Sequence, residues 1–272
     1  MKIEKNKHIK VEKNNIYSVS DKIEKPVVYS PEDYFISKQY KGEGVKIVLI
    51  DSGCPQHKDI KIEGEKINFC DSTTDVYDYM GHSTLLSGII KSVNNKGIIG
   101  LAPKSQIYYA KVMKKREICN HNAIVAAVLW AIIKKADIIG ICIGSDYDYS
   151  VLHDVIKKAY KNDIIVITAS GCPNKNNENI SFPAQYPETL AVGYLTKNKK
   201  YNDIIRKQSD IIAQNKKYTT TYLNNKYVKA GGSSMSSAIV IAIAALLIEQ
   251  KKKNASIVTP SAIYKELIEI FK

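Results

Sequence analysis

The segment VKIVLIDSG, residues 45–53, is an apolar and largely β-branched run that ends in Asp51 and is followed by Ser-Gly. A continuous apolar run of this length is typical of a strand that is buried on both faces of a parallel sheet, and the Ser-Gly pair marks the turn at its end. The segment therefore predicts a central parallel strand that holds Asp51 at its carboxyl end.

Strands and helices alternate after this strand. Helical spacing is present in STLLSGIIKSV, NAIVAAVLWAIIKKA and VLHDVIKKAY, and strands are predicted for SQIYYAKVM, DIIGICIG, DIIVITAS and ETLAVGYL. This order predicts an α/β domain with three layers, in which helices cover both faces of a mainly parallel sheet and function lies at the carboxyl ends of the strands. Residues 196–230 are interpreted as surface hairpins and loops, with YTTTYL as one strand.

Length and composition favour one large soluble domain. The chain has 272 residues, of which 44% are hydrophobic, enough for a substantial core. Its first residues contain no apolar block of the kind that forms a secretory signal, and the apolar run Ala238–Ile248 is shorter than the ~20 residues that a membrane span needs. We therefore expect a cytosolic protein with no membrane partner.

The spacing of the cysteines and the distribution of charge argue against a zinc site and against binding of nucleic acid. The five cysteines show no CxxC or CxxH spacing, so we expect reduced thiols and no zinc site. The net charge is +13, but the lysines are spread along the chain and arginine occurs only at Arg116 and Arg206, so nucleic acid is not an expected partner. A basic field favours acidic substrates.

Three places put a reactive side chain beside small residues at the start or end of a regular element. They are LIDSG with Asp51, GHSTLLSGI with His82 and GGSSMSSA with Ser234. Taken singly, each has an ordinary structural interpretation as a turn former, a structural histidine or a helix cap. Together, an acid, an imidazole and a hydroxyl are the groups needed for acyl transfer by a serine nucleophile.

These motifs resemble those of the subtilisin-like serine proteases, peptidase family S8, over the chain from about Gly42 to the C-terminal helix. The connecting stretches GIIGLAPKSQIYYAKV, VLWAIIKKADIIGICIG and SFPAQYPETLAVGYL are also similar to that family. The resemblance implies a subtilisin-like fold for residues 44–272, preceded by an N-terminal extension, residues 1–43, that serves as a short propeptide or a segment that blocks the cleft.

The resemblance also implies roles for individual residues. Asp51 would orient and stabilise the imidazole, His82 would act as general base and then acid, and Ser234 would be the nucleophile. Cys142-Ile143-Gly144 matches the strand that pairs with an extended substrate, so Cys142 and Gly144 are candidate substrate-binding residues. An ordinary buried strand end is the alternative interpretation of this stretch.

The chain departs from the family pattern at several positions, and the change at Cys172 affects the chemistry most. Cys172 stands where the family has the asparagine that stabilises the oxyanion, and a thiol is a weak donor, so the resemblance implies a slow enzyme unless Asn174 or Asn176 replaces it. No cofactor is expected for the chemistry. The turn DSGCPQHKD and the later loop also resemble a calcium site of the family, which would use Asp59 and Asn95, although this turn is one residue shorter than the family's. Plain loop structure is the alternative interpretation.

Three functions remain open from the sequence. The first is a cytosolic endopeptidase dedicated to one precursor, similar to lantibiotic leader peptidases, for which the basic charge fits an acidic leader peptide. The second is general intracellular protein turnover, similar to intracellular subtilisins, which an N-terminal segment that blocks the cleft would favour. The third is a pseudoprotease that binds peptides without cutting them, which the change to Cys172 favours and the complete set of three reactive residues opposes. The sequence carries no signal of oligomeric state.

Overall fold

The computed structural model describes residues 9–10, 15–20, 22, 25, 27–94, 97–114, 117–118, 120–173, 178–195, 199–213 and 217–272. The strands in these residues are β1 (Ile9–Lys10), β2 (Asn15–Ser20), β3 (Val27–Val28), β4 (Lys46–Asp51), β5 (Lys66–Asn68), β6 (Ile98–Ile99), β7 (Gln106–Lys111), β8 (Met113–Lys114), β9 (Glu117–Ile118), β10 (Ile138–Ile141), β11 (Gly144–Ser145), β12 (Ile165–Ala169), β13 (Leu190–Gly193), β14 (Ile211–Ile212), β15 (Tyr218–Tyr222) and β16 (Lys226–Gly231). The helices are α1 (His82–Lys91), α2 (His121–Ile133), α3 (Ser150–Lys161), α4 (Lys199–Gln208), α5 (Ser233–Lys253) and α6 (Pro260–Ile270).

A seven-stranded sheet in the order β14-β13-β12-β10-β4-β7-β5 forms the centre of the protein, and all its pairs are parallel. Strand β4 lies between β10 and β7, so that Asp51 ends a strand with a partner on each side. This arrangement confirms the predicted three-layer α/β fold. Because the strands are parallel, their carboxyl ends meet at one edge of the sheet, where sites in such folds are found.

Strand β4 contributes to two separate hydrophobic cores. Ile47 and Leu49 face the core that contains α1, α5 and α6, whereas Val48 and Ile50 face the core that contains α2 and α3. Successive side chains of a strand point to opposite faces, so an apolar residue is needed at every position when both faces are covered. The uninterrupted apolar run of β4 is therefore a direct consequence of the layered architecture.

Helix α5 is the central helix of the larger core. Judged by length and composition alone, it could cross a membrane, but 94% of its most apolar window is buried inside the protein. It packs against α1, α6 and the strands β10, β12, β13 and β16. Burial of a Leu or Ile side chain is worth about 1.5–3 kcal/mol, so this helix is a major source of stability as well as the support of Ser234.

Residues 196–230 contain a helix that the sequence analysis missed. Helix α4 carries Tyr201 and Ile205 one turn apart, both buried, and it packs against β13. The expectation of hairpins and loops alone is therefore wrong for this segment, because two apolar positions in a lysine-rich stretch give too weak a periodicity to be recognised. The strand predicted for YTTTYL is confirmed as β15, which forms a hairpin with β16.

The expectation that all cysteines are reduced thiols is also wrong. Cys70 is disulfide-bonded, whereas Cys54, Cys142 and Cys172 are not part of a disulfide. The remaining cysteine, Cys119, lies outside the described residues. Spacing along a chain cannot reveal such a bond when the paired sulfurs come from segments that only the fold brings together.

Part of the N-terminal extension is integrated into the domain. Strand β2 adds to the edge of β16, and β3 pairs with β6. A short 3-10 helix, Pro31–Tyr34, follows β3, and the ring centroid of Tyr34 lies 5.4 Å from that of Phe271. The extension thus contacts the strand that leads to Ser234 as well as the larger core.

Candidate active site

Asp51 is fully buried at the end of β4, where one of its carboxylate oxygens accepts several hydrogen bonds. Oδ1 accepts a hydrogen bond from the backbone N–H of Ser52 at 2.7 Å and lies 2.6 Å from Nδ1 of His82. A carboxylate can only accept, so Nδ1 must carry the hydrogen of a neutral ring and Nε2 is the basic nitrogen. The pair therefore fixes the tautomer that a general base needs.

His82 is the first residue of α1, and a residue that the sequence analysis missed holds this helix start. The buried carboxylate of Asp78 accepts from the backbone N–H of Gly81 at 2.8 Å, and from both the N–H and the hydroxyl of Thr84 at 2.8 and 2.7 Å. An anion at a helix N-terminus satisfies donors that have no partner within the helix and complements its dipole. Asp78 thus positions His82, although an acid in a loop gives no distinctive signal in a sequence.

Gly81 and Gly232 adopt the backbone conformations that lead the chain into α1 and α5. Gly81 has φ of +82°, and a Cβ built there would lie 2.4 Å from the ring of Tyr222. Gly232, with φ of +137°, joins β16 directly to α5. Both conformations are unfavourable for residues with a side chain, so the glycines of the two motifs are structural requirements for placing His82 and Ser234.

Ser234 is the second residue of α5 and is fully buried. Its Oγ donates a hydrogen bond to the carbonyl oxygen of Cys142 at 3.2 Å. Cys142 follows β10 directly, and Ile141 of β10 is paired with Ile50 of β4. The hydroxyl is therefore held at the carboxyl end of the strand next to the one that carries Asp51.

Strand β11, which contains Gly144, already has a partner on each edge. On one side Ser145 exchanges backbone hydrogen bonds of 2.8 and 2.9 Å with Phe182. On the other side β1 pairs with it in antiparallel orientation, with Ile9 opposite Ser145 and Lys10 opposite Gly144. The N-terminal segment therefore occupies the edge at which the sequence analysis expects an extended peptide.

The two cysteines of the predicted site differ in environment. Burial raises the pKa of the Cys142 thiol well above its usual range, and the charge of Asp51 raises it further, so this thiol stays protonated at neutral pH. Cys172 is exposed and follows Gly171, which has φ of +67°. Asn174 and Asn176, the alternative oxyanion donors, lie outside the described residues.

Asp59, the predicted calcium ligand, has both carboxylate oxygens occupied by protein donors. Oδ1 accepts from the side-chain amide of Asn94 at 2.8 Å, and Oδ2 accepts from the hydroxyl of Tyr227 at 2.6 Å. Asn95 lies outside the described residues, and the described part of the chain contains no group of three or more His, Cys, Asp or Glu side chains that could hold a metal ion. Calcium prefers six to eight oxygen ligands. The occupied oxygens of Asp59 argue against this carboxylate as a ligand, and the calcium site as a whole stays a prediction.

Comparison with known families agrees with this geometry. Residues 42–269 match the sequence model of the subtilase family. The chain belongs to this family. The match confirms the resemblance to peptidase family S8, and it begins within the last two residues of the segment interpreted as an N-terminal extension.

Several curated proteins are similar to this subtilase. The major intracellular serine protease of Bacillus subtilis (strain 168) is 31% identical over 217 residues, which cover 75% of this chain and 67% of that protein. The minor extracellular protease Epr of the same strain is 30% identical over 189 residues, or 68% of this chain and 29% of that protein. Subtilisin of Bacillus pumilus is 33% identical over 162 residues, or 58% of each. The subtilase thus spans less than a third of Epr and about two thirds of the intracellular protease.

Proposed function

We propose that this subtilase is a serine endopeptidase in which Ser234 attacks a peptide carbonyl. His82 Nε2 takes the proton of the hydroxyl as the bond from Oγ to the carbonyl carbon forms, and returns it to the leaving amine as the C–N bond breaks. Asp51 stabilises the imidazolium formed between these steps. The observation that carries the proposal is the 2.6 Å contact between the buried Asp51 and His82, at the carboxyl edge of the sheet where Ser234 also contacts the carbonyl oxygen of Cys142.

The substrate is proposed to be an extended peptide segment that pairs with β11. Strand addition gives affinity through backbone hydrogen bonds and leaves side chains to determine specificity. Support comes from β1, which already makes this pairing through Ile9 and Lys10. A substrate would have to displace β1, and we therefore propose that the N-terminal segment holds the enzyme in an inactive form.

Removal of β1 is expected to activate the enzyme. A chain that begins at Asn15 retains β2 but lacks the two residues paired with β11, so the fraction of molecules with a free edge rises. If the bound form outnumbers the free form tenfold, kcat/KM for a short peptide increases by about 10-fold. A chain that begins at Ile9 keeps β1 and serves as the control. Equal kcat/KM for the two truncated chains would exclude an inhibitory role for β1.

Two biological roles, general protein turnover and cleavage of one precursor, are supported by different observations. The occupied edge of β11 favours a cytosolic enzyme of general protein turnover that is kept inactive until its N-terminal segment leaves. The net charge of +13 supports the second candidate, dedicated cleavage of a precursor with an acidic leader. Chromatography and mass spectrometry during activation distinguish them, since loss of the N-terminal residues as activity appears is expected only for the first.

We further propose that the hydrogen bonds of Asp59 take the place of a calcium ion. Burial raises the pKa of Tyr227, so its hydroxyl remains a donor to Asp59. Calcium and a chelator should therefore have no effect on the thermal unfolding temperature. Tyr227→Phe should lower the free energy of unfolding by about 1–3 kcal/mol, because it leaves a buried carboxylate oxygen unsatisfied.

The control for this change is Tyr222→Phe, which removes a hydroxyl from the same hairpin but leaves Asp59 untouched. Thermal and denaturant unfolding measure both variants. A chelator that destabilises the wild-type enzyme would show that calcium binds after all.

A further inference from the structure

A cavity of about 410 Å³ lies between the N-terminal extension and the body of the enzyme. Ser18, Ser20, Lys22, Lys25 and Val27 line it from the extension, and Thr219, Tyr227, Val228 and Lys229 line it from the hairpin of β15 and β16. Its volume is within the range of small-molecule binding sites. Neither wall is complete without the other, so the cavity exists only while β2 is docked.

Polar groups form a row across the three strands at this cavity. In the strand register, Lys229 of β16 is opposite Thr219 of β15 on one side and Ser18 of β2 on the other. Directly opposite residues of antiparallel strands point to the same face, so an ammonium group lies between two hydroxyl groups. Such a row can donate several hydrogen bonds to one oxyanion.

The charged side chains that the structure describes at the cavity are all lysines. Lys22, Lys25 and Lys229 are the charged residues among the described lining, and none of them is paired with a carboxylate in the described part of the chain. Other lysines of the surface are paired: Lys104 with Glu43, Lys134 with Glu65, and Lys252 with Asp137. Three ammonium groups around one cavity repel each other, and a bound anion would offset this repulsion by attracting all three.

We propose that this cavity binds a small anion with two or more carboxylate or phosphate groups. One anionic group would accept from Lys229 and the hydroxyl groups of Ser18 and Thr219, and a second would bind Lys22 and Lys25 at the other wall. Since the ligand contacts both walls, its binding favours the docked state of β2. If the proposed inhibitory role of the extension holds, the anion also lowers peptidase activity.

Calorimetric titration of the full chain tests the binding. Citrate and pyrophosphate are the two probes, each titrated at constant ionic strength so that general screening is the same. We expect one bound anion per chain and a raised unfolding temperature. The triple variant Lys22→Gln/Lys25→Gln/Lys229→Gln should weaken binding by about 10-fold or more, since it removes charge-assisted hydrogen bonds.

A second triple variant, Lys158→Gln/Lys161→Gln/Lys265→Gln, has the same net charge and leaves the cavity intact, so it should bind like the wild type. The double variant Lys22→Gln/Lys25→Gln, confined to the extension, tests the site without a change in β16. Binding of citrate alone identifies a carboxylate ligand, and binding of pyrophosphate alone a phosphate ligand. Absence of binding to both, or an equal loss in the control variant, would overturn the site. These results do not depend on peptidase activity, so they are distinct from a failure of the proposed function.

Discussion

Ser234→Ala is expected to lower kcat for peptide hydrolysis by about 10⁶-fold, which is the factor lost when subtilisin loses its catalytic serine. The hydroxyl oxygen of Ser234 is the atom that forms the covalent bond with the peptide carbonyl carbon, and alanine has no such atom. Hydrolysis of a fluorogenic peptide by a chain that lacks β1 measures the effect without competition from the N-terminal segment.

Ser237→Ala is the matched control, because Ser237 is buried on the same helix and its hydroxyl donates to the carbonyl oxygen of Ser233 at 2.9 Å. This variant should remain active. In the chain that begins at Asn15, a fluorophosphonate probe should label the enzyme with and without Ser237→Ala, and leave Ser234→Ala unlabelled. If that chain neither reacts with the probe nor cuts peptides, the proposed endopeptidase activity is excluded.

Cys172→Asn is expected to raise kcat by about 10²-fold or more, since an amide donor at the oxyanion is worth roughly that factor in the transition state. KM should change little, because the donor acts on charge that is absent from the ground state. Steady-state kinetics on the same peptide separate the two constants. Cys172 is exposed and is not part of a disulfide, so the substitution does not disturb the packed core.

Cys172→Ala is the control for this substitution. It should match the wild type within a few-fold, as expected when the thiol contributes little as a donor. If asparagine gives no gain, other groups already hold the oxyanion, and the resemblance at this position does not extend to function.

The layered fold was predictable because its strands and helices carry strong periodic patterns. The apolar run of β4 is uninterrupted up to Asp51 because both of its faces are covered. This pattern alone predicts that Asp51 lies at the carboxyl end of a central strand. Helix α4 was missed because only Tyr201 and Ile205 mark its buried face. Local apolar spacing thus predicts elements that contribute much to a core and fails for those that contribute little.

The candidate site was predictable in its reactive residues and not in their surroundings. Asp51, His82 and Ser234 lie close to glycines that the backbone conformation requires, so each reactive residue belongs to a short motif that can be recognised in the sequence. Asp78 acts through three hydrogen bonds formed by the helix start, and no local pattern distinguishes it from a loop residue. The pairing of β1 with β11 joins segments more than a hundred residues apart, which only the folded chain brings together.

Strand β2 has a consequence for colloidal behaviour. It covers the edge of β16 that would otherwise present unpaired N–H and C=O groups to solvent. If β2 is lost together with β1, this edge becomes a template for pairing with another molecule. The amides of β16 should then exchange with solvent deuterium faster, and an enzyme that has lost both strands should have a greater tendency to aggregate than the full chain or the chain that begins at Asn15.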